Sequence, residues 1–324
     1  MRRTALTALV ALFATLTTAL PAAAQDWPNK PVRLVVPFPP GGSVDQLARL
    51  VSARLSDALK QQFVVENRAG AGGTIGTAFV AKAPPDGYTF AVVFDSHGVN
   101  QTLVPNLPFD TAKDFAPVML VGRAPYVIAT QEAKPWKNFS EVVRAAKAQP
   151  EVLTVGSVGN GTLGHLALIL AQQSGGFKLT HAPFAGGGPM MQNVLGGQID
   201  MGIGSIALLS AHVKGGKVRA LAVAGESRSS AMPDVPTLIE QGFPGLTAYA
   251  WWGIFAPAGT PKPIVDKMNA ELVKVFNNPE VRKSLIESQG MELIVSTPEA
   301  LQQWTLADIA RWGKVVRDNG VKID

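Results

Sequence analysis

Val32-Arg33-Leu34-Val35-Val36-Pro37-Phe38-Pro39-Pro40-Gly41-Gly42-Ser43-Val44-Asp45 is the stretch from which the fold is read. Its first five residues are almost all branched and apolar, which predicts a buried strand. The Pro-Phe-Pro-Pro-Gly-Gly run then ends any regular structure. From Ser43 onward Val44, Leu47, Ala48, Val51, Leu55, Ala58 and Leu59 recur at spacings of three and four, the stripe of an amphipathic helix. Ser43 with Gln46 three residues on predicts a capping box, and Asp45 suits the positive end of the helix dipole. Strand, glycine turn and helix in that order form the repeating unit of an α/β protein.

Outward from this stretch the unit recurs. Phe63-Val64-Val65 reads as a strand, the loop 70–76 leads into a helix through Ala83, and 88–94 is another strand. A second set begins at Leu153-Thr154-Val155, whose glycine-rich turn 156–161 opens a helix over 162–173. Strand 178–183, helix 189–195 and strands 199–203 and 219–223 follow, then a Trp251-Trp252 strand and two or three closing helices. Two sets with matching turn chemistry predict two similar lobes, each a mainly parallel sheet flanked by helices, with a ligand cleft between them. The expected divisions are 25–124 for the first part of lobe 1, 125–249 for lobe 2 and 250–324 for the return to lobe 1. The chain would cross between lobes near 123–127 and 247–255.

Composition narrows the function classes. Of 324 residues 47% are apolar and 16% charged, enough for a sizeable core, so disorder and coiled coil are excluded. The absence of cysteine removes disulfide scaffolds, thiol catalysis, iron–sulfur clusters and Cys-ligated zinc. Arg2-Arg3, an apolar run from Ala5 to Leu20 and Ala22-Ala23-Ala24 have the three parts of a secretory signal over 1–24, cleaved near Ala24-Gln25. The apolar run is short for a membrane span, and no cysteine stands at the cut for lipid attachment, so a freely soluble exported product is expected. Losing Arg2 and Arg3 lowers the net charge from +5 to +3, and no basic run remains, so no nucleic-acid partner is expected.

Enzyme signatures fail one by one. Val155-Gly156-Ser157-Val158-Gly159 lacks the first glycine of a nucleophile elbow, and Gly215-Gly216-Lys217-Val218 lacks the parts of a P-loop. His97, His165, His181 and His212 have no metal-ligand spacing, so no metal is expected. Gly159-Asn160-Gly161-Thr162-Leu163-Gly164 does match the dinucleotide fingerprint. The strand that follows ends in His181-Ala182-Pro183-Phe184 without the acid a ribose needs, so no nucleotide cofactor is expected. What survives is physical. A glycine turn at a helix start presents bare N–H groups, a site for a small anion such as a carboxylate.

That feature occurs in both lobes, at Pro40, Gly41, Gly42 and Ser43 and again at Ser157, Gly159, Gly161 and Thr162. Two further polar turns, at Asp95-Ser96 and at Gly204-Ser205, follow strands, and in open α/β sheets ligands bind beyond the carboxyl ends of strands. His165 could reach a ligand or cap its helix, while Phe38 and Phe184 could stack on a planar ligand or form a wall. These residues make up the candidate substrate-binding set, with no catalytic residue among them.

Several strings also carry a family resemblance. The stretch from Trp27-Pro28-Asn29-Lys30-Pro31 to Asp45, with Val65-Glu66-Asn67-Arg68-Ala69-Gly70-Ala71-Gly72-Gly73, Pro85-Asp86-Gly87-Tyr88-Thr89, Asp114-Phe115-Ala116-Pro117-Val118, Gly196-Gly197-Gln198, Arg219-Ala220-Leu221-Ala222-Val223 and Ala256-Pro257-Ala258-Gly259-Thr260-Pro261, resembles the Bug-type solute receptors of tripartite tricarboxylate transporters. The resemblance implies a type II-like periplasmic binding protein, expected as a monomer, that closes on a small carboxylate without chemistry. It implies delivery to the large and small integral-membrane permease subunits. It also implies that loops 38–43 and 157–162 pin one carboxylate, partly through ordered water.

Two departures from that pattern bear on the ligand. Phe184-Ala185-Gly186 stands where relatives commonly have Tyr and then Lys or Arg before Gly, and Gly204 where many carry Asp. An acid would suit an ammonium group, whereas Gly204 is expected to open space. An aromatic carboxylate or a dicarboxylate is therefore expected rather than an amino acid. The competing expectations are a sensory receptor of the same fold and, less favoured, a secreted hydrolase or isomerase using His165 with Asp95 or Asp45 as acid and base.

Overall fold

The computed structural model describes residues 27–321, so the expected signal over 1–24 and its cleavage point lie outside the described residues. The first lobe begins with β1 (Val32–Val36), α1 (Ser43–Leu59), β2 (Phe63–Asn67), α2 (Thr74–Ala81), β3 (Thr89–Phe94) and α3 (Ser96–Leu103). A long strand, β4 (Phe115–Gln131), leads to α4 (Phe139–Ala148), β5 (Thr154–Ser157), α5 (Leu163–Gly175), β6 (Thr180–Pro183), α6 (Gly187–Leu195), β7 (Met201–Ser205), α7 (Ile206–Lys214) and β8 (Val218–Val223). The chain returns through β9 (Tyr249–Pro257), α8 (Lys262–Asn277), α9 (Pro279–Lys283), β10 (Glu292–Leu293) and α10 (Pro298–Asp318).

The strands lie in the order β2-β1-β3-β9-β4-β7-β5-β6, with β8 and β10 also paired to β4. Each lobe has a parallel triplet, β2-β1-β3 in one and β6-β5-β7 in the other. The centre is antiparallel, because β4 and β9 cross between the lobes in opposite directions. β9 runs against β3 and against the first part of β4, as far as Pro125↔Tyr249. From Tyr126 onward β4 changes partners and pairs with β7 and β8. The sheet is thus mixed: the parallel expectation holds for the βαβ units, and the antiparallel strands come from chain segments that join the halves.

Strands covered on both faces read as continuous apolar runs. All six residues of β3 are buried, and on β9 Trp251 and Trp252 are both fully buried, with Trp252 5.5 Å from the Phe94 ring centroid. The predicted βα elements appear with ends moved by a few residues; α6 starts at Gly187 rather than 189.

Candidate functional site

The turn that opens α1 is built differently from the expected capping box. Gly41 has φ +90°, a conformation that favours glycine, and Gly42 takes the N-cap position without a side chain to cap. Ser43 is already helical. Gln46 donates from its side chain to the Gly41 carbonyl at 3.3 Å instead of reaching Ser43. Asp45 holds the turn. Its Oδ2 accepts from Gly41 N at 3.0 Å and Arg49 Nε at 2.9 Å, and its Oδ1 accepts from Asn67 Nδ2 at 2.9 Å. Asn67 Nδ2 also donates to the Phe38 carbonyl at 3.0 Å, so both ends of the loop are tied to one buried polar cluster.

Burial opposes the charge on Asp45, but hydrogen bonds from Arg49, Gly41 and Asn67, with the Arg49 charge, outweigh it and lower its pKa. A lowered value means support that is complete above the ordinary carboxylate range and is lost as pH falls through the folded value. Asp45→Asn should therefore cost about 2 kcal/mol at neutral pH and remove part of the acid sensitivity. Urea denaturation between pH 3 and 7 measures both; an unchanged slope of stability against pH would refute the assignment.

The second glycine loop, between β5 and α5, is largely self-satisfied. Gly159 and Gly161 have φ +140° and +77°. Ser157 Oγ meets His181 Nε2 at 2.8 Å and lies 3.0 Å from the Gly159 carbonyl, to which Thr162 Oγ1 also donates at 3.0 Å. Gly161 N donates to His165 Nδ1 at 3.3 Å, which leaves the proton of a neutral His165 on Nε2. The His165 and His181 rings stack 4.0 Å apart. Burial lowers both to about 4, the His181 charge adding to the effect on His165, so the pair is neutral at pH 7. His165 thus serves its own loop rather than facing open space.

The lobes touch along these loops. Ser43 Oγ and Ser205 Oγ are 3.5 Å apart, and the Asn100 side chain and Gly72 lie beside Asn160 and Gly161. Behind the Ser43–Ser205 contact is a cavity of about 20 Å³, room for about one water. Phe38, Phe94, Val158 and Leu208 are among its walls. Three helix starts meet there: Gly42 and Ser43 of α1, Gly187 of α6 and Ser205 at the N-cap of α7. Their first N–H groups have no acceptor within their own helices. No ionised side chain lines the cavity. A groove of about 310 Å³ extends outward past Pro40, Gly41, Gly188 and His212, with Leu208 standing between the two spaces.

The structure thus brings together Phe38, Pro40, Gly41, Gly42, Ser43 and Ser205 of the expected set, with Val158 placing the Ser157–Thr162 loop alongside. Gly204 is a correction. A Cβ there would meet Leu208 at 3.0 Å and Met190 at 3.4 Å, so it faces the apolar packing of α6 and α7 and does not itself line the cavity. Phe184 is partly exposed and packs over Gly156 outside the cavity lining. Asp95 and Ser96 are buried at the start of α3, also outside that lining. Of the residues lining the cavity, Val44, Phe94, Val158, Gly187 and Leu208 were not in the expected set, and of these Gly187 has the clearest signal. That signal is the Gly186-Gly187-Gly188 run before a helix.

Comparison with known proteins gives a consistent placement. Residues 47–321 match the model of the "Tripartite tricarboxylate transporter family receptor". Protein BugT of Bordetella pertussis is 34% identical over 326 residues, covering 100% of both chains. An R. palustris protein solved with adipate superposes with a TM-score of 0.87 at 33% identity, covering 91% of this chain and 99% of that one. MatC from Rhodopseudomonas palustris with bound malate gives 0.84 at 35%, covering 90% and 100%.

Proposed function

Because the chain belongs to the tripartite tricarboxylate transporter receptor family, we propose that it captures a small carboxylate without an ammonium group and delivers it, in the periplasm, to a membrane permease. The observation that carries this reading is the meeting of three helix starts from two lobes around a cavity with no ionised side chain. Partial positive charge from helix ends suits an anion, and the absence of a lining acid leaves an α-ammonium group unpaired. The apolar walls, Phe38, Phe94, Val158 and Leu208, suit an alkyl or aromatic body between carboxylates once the lobes part and widen a cavity that here has room for about one water. Malate and adipate, held by the two similar structures, are dicarboxylates of this kind.

Capture works by closure in this reading, with lobes spanning 25–124 plus 250–324 and 125–249. β4 and β9 act as the crossing segments, since β4 runs continuously past Pro125 into the second sheet and β9 begins opposite it at Tyr249. The candidate contacts are Phe38, Pro40, Gly41, Gly42, Ser43 and Ser205, joined by the Ser157–Thr162 loop. Asp45 and His165 are committed to their own turns, and Ser157, the hydroxyl beside His181, is fully buried and turned to the Gly159 carbonyl, which favours binding without reaction.

A thermal-shift screen at pH 7 with malate, adipate, succinate, benzoate, terephthalate, aspartate and glutamate tests the reading. A true ligand at 100 times its dissociation constant stabilises by about 2.7 kcal/mol. Dicarboxylates or aromatic carboxylates should raise the melting temperature while aspartate and glutamate do not. Stabilisation by the amino acids alone would overturn the ligand class.

A further inference from the structure

We propose that Asp95 is a positioning residue for closure that takes up a proton as the lobes meet, so that capture of an anion is coupled to protonation of this chain. Asp95 ends β3 in the first lobe and is 0% exposed. Its Oδ2 accepts from Tyr126 Oη at 2.6 Å, and Tyr126 is the residue at which β4 joins the second sheet. Among the described residues Oδ1 has no hydrogen-bond partner. The carboxyl also lies against the Leu163 N–H at the start of α5, in the opposite lobe. Asp95 therefore occupies the seam, where one oxygen is paired and the other is buried bare. A carboxylate with no cation beside it and an unsatisfied oxygen is costly to keep ionised.

The surrounding groups agree with this. Burial drives the Asp95 pKa up; the Tyr126 hydroxyl pulls it back, the Asp308 carboxyl on α10 raises it further, and the Leu163 and Ser96 N–H groups lower it. The outcome is well above the usual carboxylate range. Asp308 accepts from Trp251 Nε1 at 3.0 Å and is itself pushed up to about 7, chiefly by burial, with the Arg311 charge among the opposing influences. Tyr126 is raised well above its ordinary value, so it remains a donor. His97 on α3 is held neutral by burial, at about 3, among Phe109, Phe115 and Phe255. His165 on α5 is neutral and turned to Gly161.

Opening the cleft withdraws the start of α5 and admits water, which returns Asp95 toward the usual carboxylate range. Asp308 lies between α10, β9 and α3 within one lobe, so its own surroundings stay with that lobe. The closed form thus holds a proton that the open form lacks. A value raised on closure favours the closed form at low pH, and that preference is lost as pH rises. Between the open and closed values the ratio of closed to open falls about tenfold per pH unit.

The chain contains no cysteine, so Asp57→Cys on α1 and Gln192→Cys on α6, both exposed, attach one spin label to each lobe. Distances measured by pulsed electron paramagnetic resonance without ligand, from pH 5 to 9, should show the closed population falling as pH rises. Asp95→Asn should flatten the profile, and Asp308→Asn should leave a slope. Tyr126→Phe removes a donor that lowers the acid, so it should move the profile to higher pH; it decides the matter if Asp95→Asn folds poorly. Distances independent of pH, or an unchanged slope in Asp95→Asn, would overturn the proposal. As a second measurement, calorimetry with malate or adipate in two buffers of different ionisation enthalpy should show about one proton taken up per ligand, and none in Asp95→Asn. This arm rests on the carboxylate reading. Failure of both probes to bind would count against that reading, while the ligand-free distances still judge the proton.

Discussion

Gly188→Val is expected to abolish ligand capture while leaving both lobes folded. Gly188 lies in the first turn of α6, where its φ is ordinary for a side chain, and valine there improves helix propensity by about a few tenths of a kcal/mol. A Cβ at this position would stand 2.9 Å from the Pro40 carbonyl oxygen and 3.7 Å from the Gly41 carbonyl carbon, both in the other lobe. Those are backbone atoms of the turn tied down by Asp45 and Asn67, so they cannot rotate aside. The clash arises only when the lobes meet. Calorimetric titration with a carboxylate that stabilises the parent protein should show affinity falling at least about a hundredfold, or about 2.8 kcal/mol. The ligand-free melting temperature should stay within about two degrees. Full affinity in this variant would mean that the contact between Pro40 and α6 is not part of the binding conformation.

Trp252→Ala should instead cost about 3–5 kcal/mol of folding stability, the range for emptying a large aromatic site in a core. Trp252 is 0% exposed on β9, paired in register with Phe94 on one side and Gly122 on the other. The cavity would open at a central strand of the first lobe, where neighbours on two sides are held by sheet hydrogen bonds and collapse poorly. Trp252→Phe makes a sharper comparison. The indole Nε1 is buried with no partner among the described residues, so phenylalanine removes an unsatisfied donor together with some volume. Urea denaturation should show a far smaller loss for phenylalanine than for alanine. Equal losses would mean that the indole nitrogen contributes a bond in solution.

The strand, turn and helix from Val32 to Leu59 were legible because buried strands and amphipathic helices leave different apolar periods. The glycine of the first turn was legible for the same kind of reason: φ +90° at Gly41 leaves little choice of residue. Ser43 as a cap was not. A capping pattern in sequence presumes which residue is first in the helix, and here the helix begins one residue earlier, behind a bare Gly42. Gly204 was misjudged because a strand sends alternate side chains to opposite faces. Counting residues after Gly-Gly-Gln does not say which face a position takes.

Sequence alone determined the α/β units, the glycine turns at helix starts, the lack of thiol chemistry and the family. These depend on local backbone preference, composition and short strings of residues, all of which are written in order along the chain. Tertiary structure alone decided which helix starts converge, bringing the start of α6 beside α1 and α7 in place of α5. It alone set Asp95 and Tyr126, 31 residues apart, at one seam. Burial and opposition across a cleft depend on how two sheets face each other. That is fixed by crossing strands far apart in the chain, and no local spacing carries it.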